Sequence, residues 1–109
     1  MRSLGILNRH NDDYHRFYPH SIGHYLGMDV HDTQSFSSHE KLRAGNYVTI
    51  EPGLYIPECP HIDPKYHNIG IRIEDDVLIR DGAPLVITRN IPKEVDEIEA
   101  AILSKSPLA

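Results

Sequence analysis

Three of the chain's eight histidines fall within HSIGHYLGMDVH, at positions 20, 24 and 31. Imidazoles gathered around glycines serve metal binding, proton transfer or pH sensing. Two acids sit further along: Glu51 in VTIEPG and Glu74 in GIRIEDD. Strand alternation puts Val48 and Ile50 on one face and Tyr47, Thr49 and Glu51 on the other. In the second run Ile69, Ile71 and Ile73 alternate with Gly70, Arg72 and Glu74. If the two runs are neighbours, the carboxylates stand about 4–5 Å apart. At an effective dielectric of about 20, such a like-charge pair costs roughly 3–4 kcal/mol. A proton, Arg72 or a metal cation must offset that cost. One imidazole with two carboxylates is a hard-to-borderline donor set, suited to manganese, cobalt, zinc or iron rather than copper or a cluster. His20 and His24 are also spaced as neighbours on a helix face, which Gly23 between them disfavours. His10, His15, His39, His61 and His67 read as surface or structural residues.

These side chains need a scaffold, and the rest of the sequence is organised to supply one. NYVTIEPG is a strand, ended by Pro52 and turned by Gly53. NIGIRIEDDVLI reads as a second strand pair, RDGAP as a turn and LVIT as a short strand. Tyr25–Met28 is a short strand inside a structured histidine loop, and residues 57 to 68 form a proline-containing loop. RSLGIL is either a last helical turn or a strand fragment. Pro92 opens a helix whose Val95, Ile98 and Ile102 make one apolar stripe. The apolar strand faces call for a core of helices.

The bulk numbers exclude several classes. A chain of 109 residues with 39% hydrophobic and 25% charged residues is neither disordered nor membrane-spanning. A formal charge of −5 with no basic stripe argues against nucleic acid. The single cysteine, Cys59, excludes an intrachain disulfide and fits a reducing compartment. MRSLGILNRHNDDYHR has no apolar core adequate for a signal peptide, and no mitochondrial presequence is visible in the chain.

FYPHSIGHYLGMDVHD, VTIEPGLYIP and GIRIEDDVLI resemble three successive signatures of the Xaa-Pro aminopeptidases, metallopeptidases with the pita-bread fold. Proline dipeptidases and methionine aminopeptidases are relatives. The similarity runs from about Leu4 to about Ala100, and the 23-residue step from Glu51 to Glu74 and the seven-residue step from His24 to His31 fit it. The resemblance implies an α+β fold: the C-terminal half of a pita-bread domain, mainly antiparallel sheet backed by helix. Residues 1–103 are expected to be part of the catalytic domain and 104–109 a tail. His24, Glu51 and Glu74 match metal ligands, Glu74 being the carboxylate that bridges two metals. Glu51 also matches the proton-transfer group. His31 matches the histidine that hydrogen-bonds the scissile carbonyl or its oxyanion, and His20 the one lining the substrate pocket near proline. Arg72 matches the arginine that supports the bridging carboxylate. The implied cofactor is a divalent metal, manganese by family preference, with zinc or cobalt as substitutes. The implied substrates are peptides with proline in second position.

One departure from the family pattern has chemical weight. Two further aspartate ligands lie well upstream of the histidine loop in the family, and only 23 residues precede His24 here. Asp12 and Asp13 are adjacent, in a polar turn, and do not match that pair. The chain thus carries three of five expected ligands. It is expected to hold at most one ion, weakly, and to have little or no peptidase activity alone. Met1 then looks like a start inside a larger domain, leaving a sheet edge through which the chain could pair with itself or a partner. The alternatives are a truncated, non-catalytic pita-bread binding module and a proline dipeptidase fragment. The wording of the histidine loop leans to a mitochondrial rather than a cytoplasmic branch.

Overall fold

The computed structural model describes residues 1–10, 12–32 and 40–104. The strands described are β1 (Tyr47–Ile50), β2 (Gly53–Ile56), β3 (Ile69–Arg72), β4 (Asp75–Leu78) and β5 (Leu85–Val86), followed by one α-helix, α1 (Val95–Leu103). Every pairing is antiparallel, in the orders β1–β4–β5 and β2–β3. This is the α+β class the sequence implies.

Both long apolar runs break near their middles. The first yields β1 and β2 on either side of Glu51 and Pro52, and the second yields β3 and β4 on either side of Ile73 and Glu74. Proline has no N–H to give to a ladder. The sequence reads the second run as a strand pair; its halves instead pair with the halves of the first run, β3 with β2 and β4 with β1.

The chain divides into two compact units. The first comprises Met1–Gly23 and Glu51–Glu74. Its core is Ile6, Phe17, Ile56, Cys59 and Ile62, with Met1, Leu7, Leu54 and Tyr66 packed against it. RSLGIL resolves into a 3₁₀ turn at Arg2–Leu4, ended by Gly5 at φ 73°, which a side chain would disfavour. That turn delivers Ile6 to the core with no exposed surface. Complete burial of an Ile or Phe side chain contributes about 1.5–3 kcal/mol. The N-terminal segment runs beside β2, where the Tyr55 N–H donates to the Phe17 carbonyl at 2.9 Å. The 57–68 connection is a packed loop: Asp63 caps a 3₁₀ turn at Pro64–Tyr66, and Asn8 donates its amide to the His61 carbonyl at 3.0 Å.

The second unit comprises His24–Ile50 and Asp75–Ala109. Here the expected alternation in β1 fails: Thr49 is 1% exposed, whereas Ile50 is exposed. The histidine loop explains the burial of Thr49. It runs antiparallel to β1, with the Thr49 N–H donating to the His24 carbonyl at 2.8 Å and the Leu26 N–H to Tyr47 at 3.1 Å. The Thr49 hydroxyl accepts the His24 N–H at 3.0 Å, so a polar side chain is buried with its hydrogen bond made. The expected strand at Tyr25–Met28 reduces to bridges from Tyr25 to Val48 and Asp32. LVIT keeps only Leu85 and Val86 as strand.

α1 begins later than Pro92 suggests, at Val95 with Glu94 as its cap residue. Lys93 is held outside the helix by the carbonyls of Thr88 and Ile91, at 2.9 and 3.0 Å. The helix buries none of its residues: Val95, Ile98 and Ile102 are all exposed. Ile69, Ile71 and Ile73 are likewise exposed, Ile71 by 54%, against the expectation that this face meets a core. Nothing among the described residues covers those stripes. Ser104 caps α1, and the rest of the expected tail, 105–109, lies outside the described residues, as does His39.

Candidate metal centre

Glu51 and Glu74 occupy the breaks in the two runs. The β2–β3 ladder ends at Gly53 opposite Arg72, and the Ile73 N–H donates to the Pro52 carbonyl at 3.3 Å beyond it. Continuing that register by two residues sets Glu51 opposite Glu74. Backbone also fixes Glu51 through its N–H, which donates to the Ile22 carbonyl at 2.7 Å. The Arg72 Nε lies 3.6 Å from a Glu51 carboxylate oxygen. Arg72 also donates to the Tyr55 hydroxyl at 3.4 Å, and that hydroxyl is 2.9 Å from His20 Nε2. His20 Nδ1 faces the Ser21 carbonyl at 2.8 Å, an acceptor, so a neutral ring carries its proton there. Nε2 then accepts from Tyr55, giving a chain from Glu51 through Arg72 and Tyr55 to His20.

Tyr55 is the residue that sequence reasoning missed. Its ring lies over two glycines: a Cβ on Gly53 would meet the Tyr55 hydroxyl at 2.6 Å, and one on Gly70 the ring at 3.3 Å. Alternation puts Gly70 and Arg72 on one strand face, and Tyr55 is the direct partner of Gly70. That cross-strand pairing was the available signal, and it requires the register to be known.

His24 is presented by the loop that lies along β1. Its Nδ1 faces the Tyr25 carbonyl at 2.9 Å, which places the proton on Nδ1 and makes Nε2 the basic nitrogen of a neutral ring. His31 returns to it through a tight turn, with ring centroids 4.8 Å apart and planes near perpendicular. Gly27 in this segment leaves room for the Asp32 carboxylate, which would have to move if a Cβ were added there.

One ligand atom from each of His24, Glu51 and Glu74 lies within 4.8 Å of the others. This is the one such trio of His, Cys, Asp or Glu side chains among the described residues. A borderline nitrogen with two hard carboxylates fits a divalent cation, and a cation supplies the charge that two facing carboxylates need. Asp12 is exposed and Asp13 caps the turn at Tyr14–Arg16, so neither joins the trio. His10 and His61 stack on each other, and His67 bonds the Ile62 carbonyl.

A family model for metallopeptidase family M24 matches residues 3–81. Xaa-Pro aminopeptidase 3 from Dictyostelium discoideum is 49% identical over 109 residues, covering 96% of this chain and 21% of that protein. A protein from Arabidopsis thaliana described as intermediate cleaving peptidase 55, mitochondrial, is 48% identical over 102 residues, covering 94% of this chain and 20% of the relative. Among solved structures, proline aminopeptidase P II from Yersinia pestis superposes with a TM-score of 0.82 at 37% identity, covering 94% of this chain and 26% of that one. The chain thus spans about a fifth of the length of these curated relatives.

Proposed function

The chain belongs to metallopeptidase family M24, and from that premise we propose that it is a catalytic part of an Xaa-Pro aminopeptidase, an enzyme that removes an N-terminal residue preceding proline. The observation that carries this reading is the convergence of His24, Glu51 and Glu74 within 4.8 Å. These three would hold the divalent metal of the family, manganese in preference to zinc or cobalt, with a second ion in a complete enzyme. Such an ion supplies Lewis acidity and an acidified water at neutral pH. Glu51 takes a proton and returns it to the leaving amine. His31 donates to the oxyanion as the carbonyl becomes tetrahedral. His20, held by Tyr55, lines the position of the substrate proline, and Arg72 steadies the Glu51 carboxylate.

Residues 1–103 form part of the metallopeptidase domain and 104–109 a tail. Three ligands leave the cation incompletely held, so this chain binds one ion weakly and turns over little or no substrate by itself. Similarity to a relative described as mitochondrial supports that compartment over the cytoplasm. No helix among the described residues is long and apolar enough to cross a membrane. The exposed Ile69, Ile71 and Ile73 favour a second reading alongside the first, in which the chain pairs with another copy or a partner through this strand. Release of the first residue from an Xaa-Pro peptide, with added manganese, tests the enzymatic part. Turnover is expected to stay at the no-enzyme background; rates matching those of full-length relatives would contradict the three-ligand account.

A further inference from the structure

Glu74 is joined to β4 by a single peptide link, and Thr88 and Lys93 hold the Asp75 carboxylate and the Asp76 N–H just beyond it. The Thr88 hydroxyl donates to Asp75 Oδ1 at 2.6 Å and accepts the Asp76 N–H at 3.0 Å. One hydroxyl therefore clamps two successive residues. The Lys93 ammonium lies 3.0 Å from the same Asp75 oxygen and donates to the Thr88 carbonyl at 2.9 Å and the Ile91 carbonyl at 3.0 Å. The Ile87 N–H donates to the Asp76 carbonyl at 2.8 Å. On the other side of Glu74, the Ile73 N–H is fixed on Pro52. Glu74 thus lies between the Ile73 N–H, held by Pro52, and a clamp on the Asp75 side chain and the Asp76 N–H.

We propose that Thr88 and Lys93 are positioning residues for Glu74, setting the affinity of the cation trio without touching the ion. The proposal rests on the reading of His24, Glu51 and Glu74 as ligands. Two physical effects combine in it. Metal–ligand distances tolerate deviations of about 0.2 Å, so the backbone that projects a carboxylate must be held to that order. Asp75 is also an acid adjacent to a proposed ligand. Engaging its oxygen with a hydroxyl and an ammonium keeps it from competing with Glu74 for the cation. Valine at 88 keeps the shape of threonine but leaves the Asp75 oxygen and the Asp76 N–H without that partner.

The test is Mn²⁺ titration by calorimetry of the full chain, with Co²⁺ visible spectra of the same proteins. Thr88→Val is expected to weaken Mn²⁺ binding by about tenfold, the low end of the cost of losing a group that supports a ligand, and to change the Co²⁺ bands, and Thr88→Ser to restore both. Far-UV circular dichroism at the titration temperature checks that the variant is folded. Should Thr88→Val fail to fold, Lys93→Gln carries the same expectation. Wild-type affinity and an unchanged Co²⁺ spectrum in the folded variant would overturn the positioning role. Absence of binding by the wild-type chain would overturn the ligand assignment, and the clamp with it.

Discussion

Glu51 is where competing forces meet. The carboxylate of Glu74 approaches it, but Glu74 is exposed, so solvent screens much of their repulsion. Arg72 is the cation beside Glu51, but its side chain is 51% exposed and it stands at 3.6 Å. Ion pairs of that exposure contribute about 0–1 kcal/mol. A divalent cation held by the same carboxylate would add to what Arg72 supplies. The three motifs brought His24, Glu51 and Glu74 together by resemblance, and the structure sets one ligand atom of each within 4.8 Å of the others; residue chemistry alone left open which imidazole joined the acids. The partner of Arg72 was not legible: alternation sets it one pleat from Glu74, whereas the recorded ion pair crosses the ladder to Glu51. Tyr55 was invisible for a similar reason, since a tyrosine in a strand looks like an ordinary β-former. Tyr55→Phe should remove the link between His20 and Arg72 and destabilise the chain by about 1 kcal/mol in urea unfolding. An unchanged midpoint would mean that the hydroxyl contributes no net stability.

At the scale of elements, local pattern located the strands but not what covers them. Thr49 is buried because a loop more than twenty residues away in sequence lies along β1 and satisfies its hydroxyl, while Ile50 beside it is exposed. No two-residue period can encode that. The break at Glu51–Pro52 was readable from proline itself, whereas the matching break at Ile73–Glu74 has no such marker and follows from pairing. The turn at Pro64–Tyr66 shows a local element that chemistry does specify. Asp63 caps it, and the side-chain bond to Lys65, then the backbone bond from the Lys65 N–H, hold the Asp63 carboxyl below its usual 3.8. A depressed carboxyl favours the folded state at pH above 3.8, and that contribution fades as pH falls through the folded-state value. An NMR titration should place Asp63 below 3.8 in the wild type and nearer that value in Lys65→Gln. Identical titration curves would show that the lysine does not stabilise the carboxylate.

For the whole molecule, the resemblance implied the α+β class, and the alternating apolar runs and the helical stripe marked elements that exist. Burial did not follow, because the sequence cannot say which chain supplies the covering layer. Ile69 and Ile71 on β3, Ile73 just beyond it, and Val95, Ile98 and Ile102 on α1, are exposed. An edge strand with an apolar face is a template for pairing. Sedimentation velocity should therefore show concentration-dependent association that Ile71→Lys reduces; a monomer at every concentration would rule out pairing through β3. The most direct test of the central claim is calorimetric titration of the wild-type chain with Mn²⁺, beside His24→Ala, Glu51→Gln and Glu74→Gln. One weakly bound ion per chain is predicted, with each substitution lowering its affinity by about tenfold or more. Absence of binding by the wild type, or equal binding by all four proteins, would contradict it.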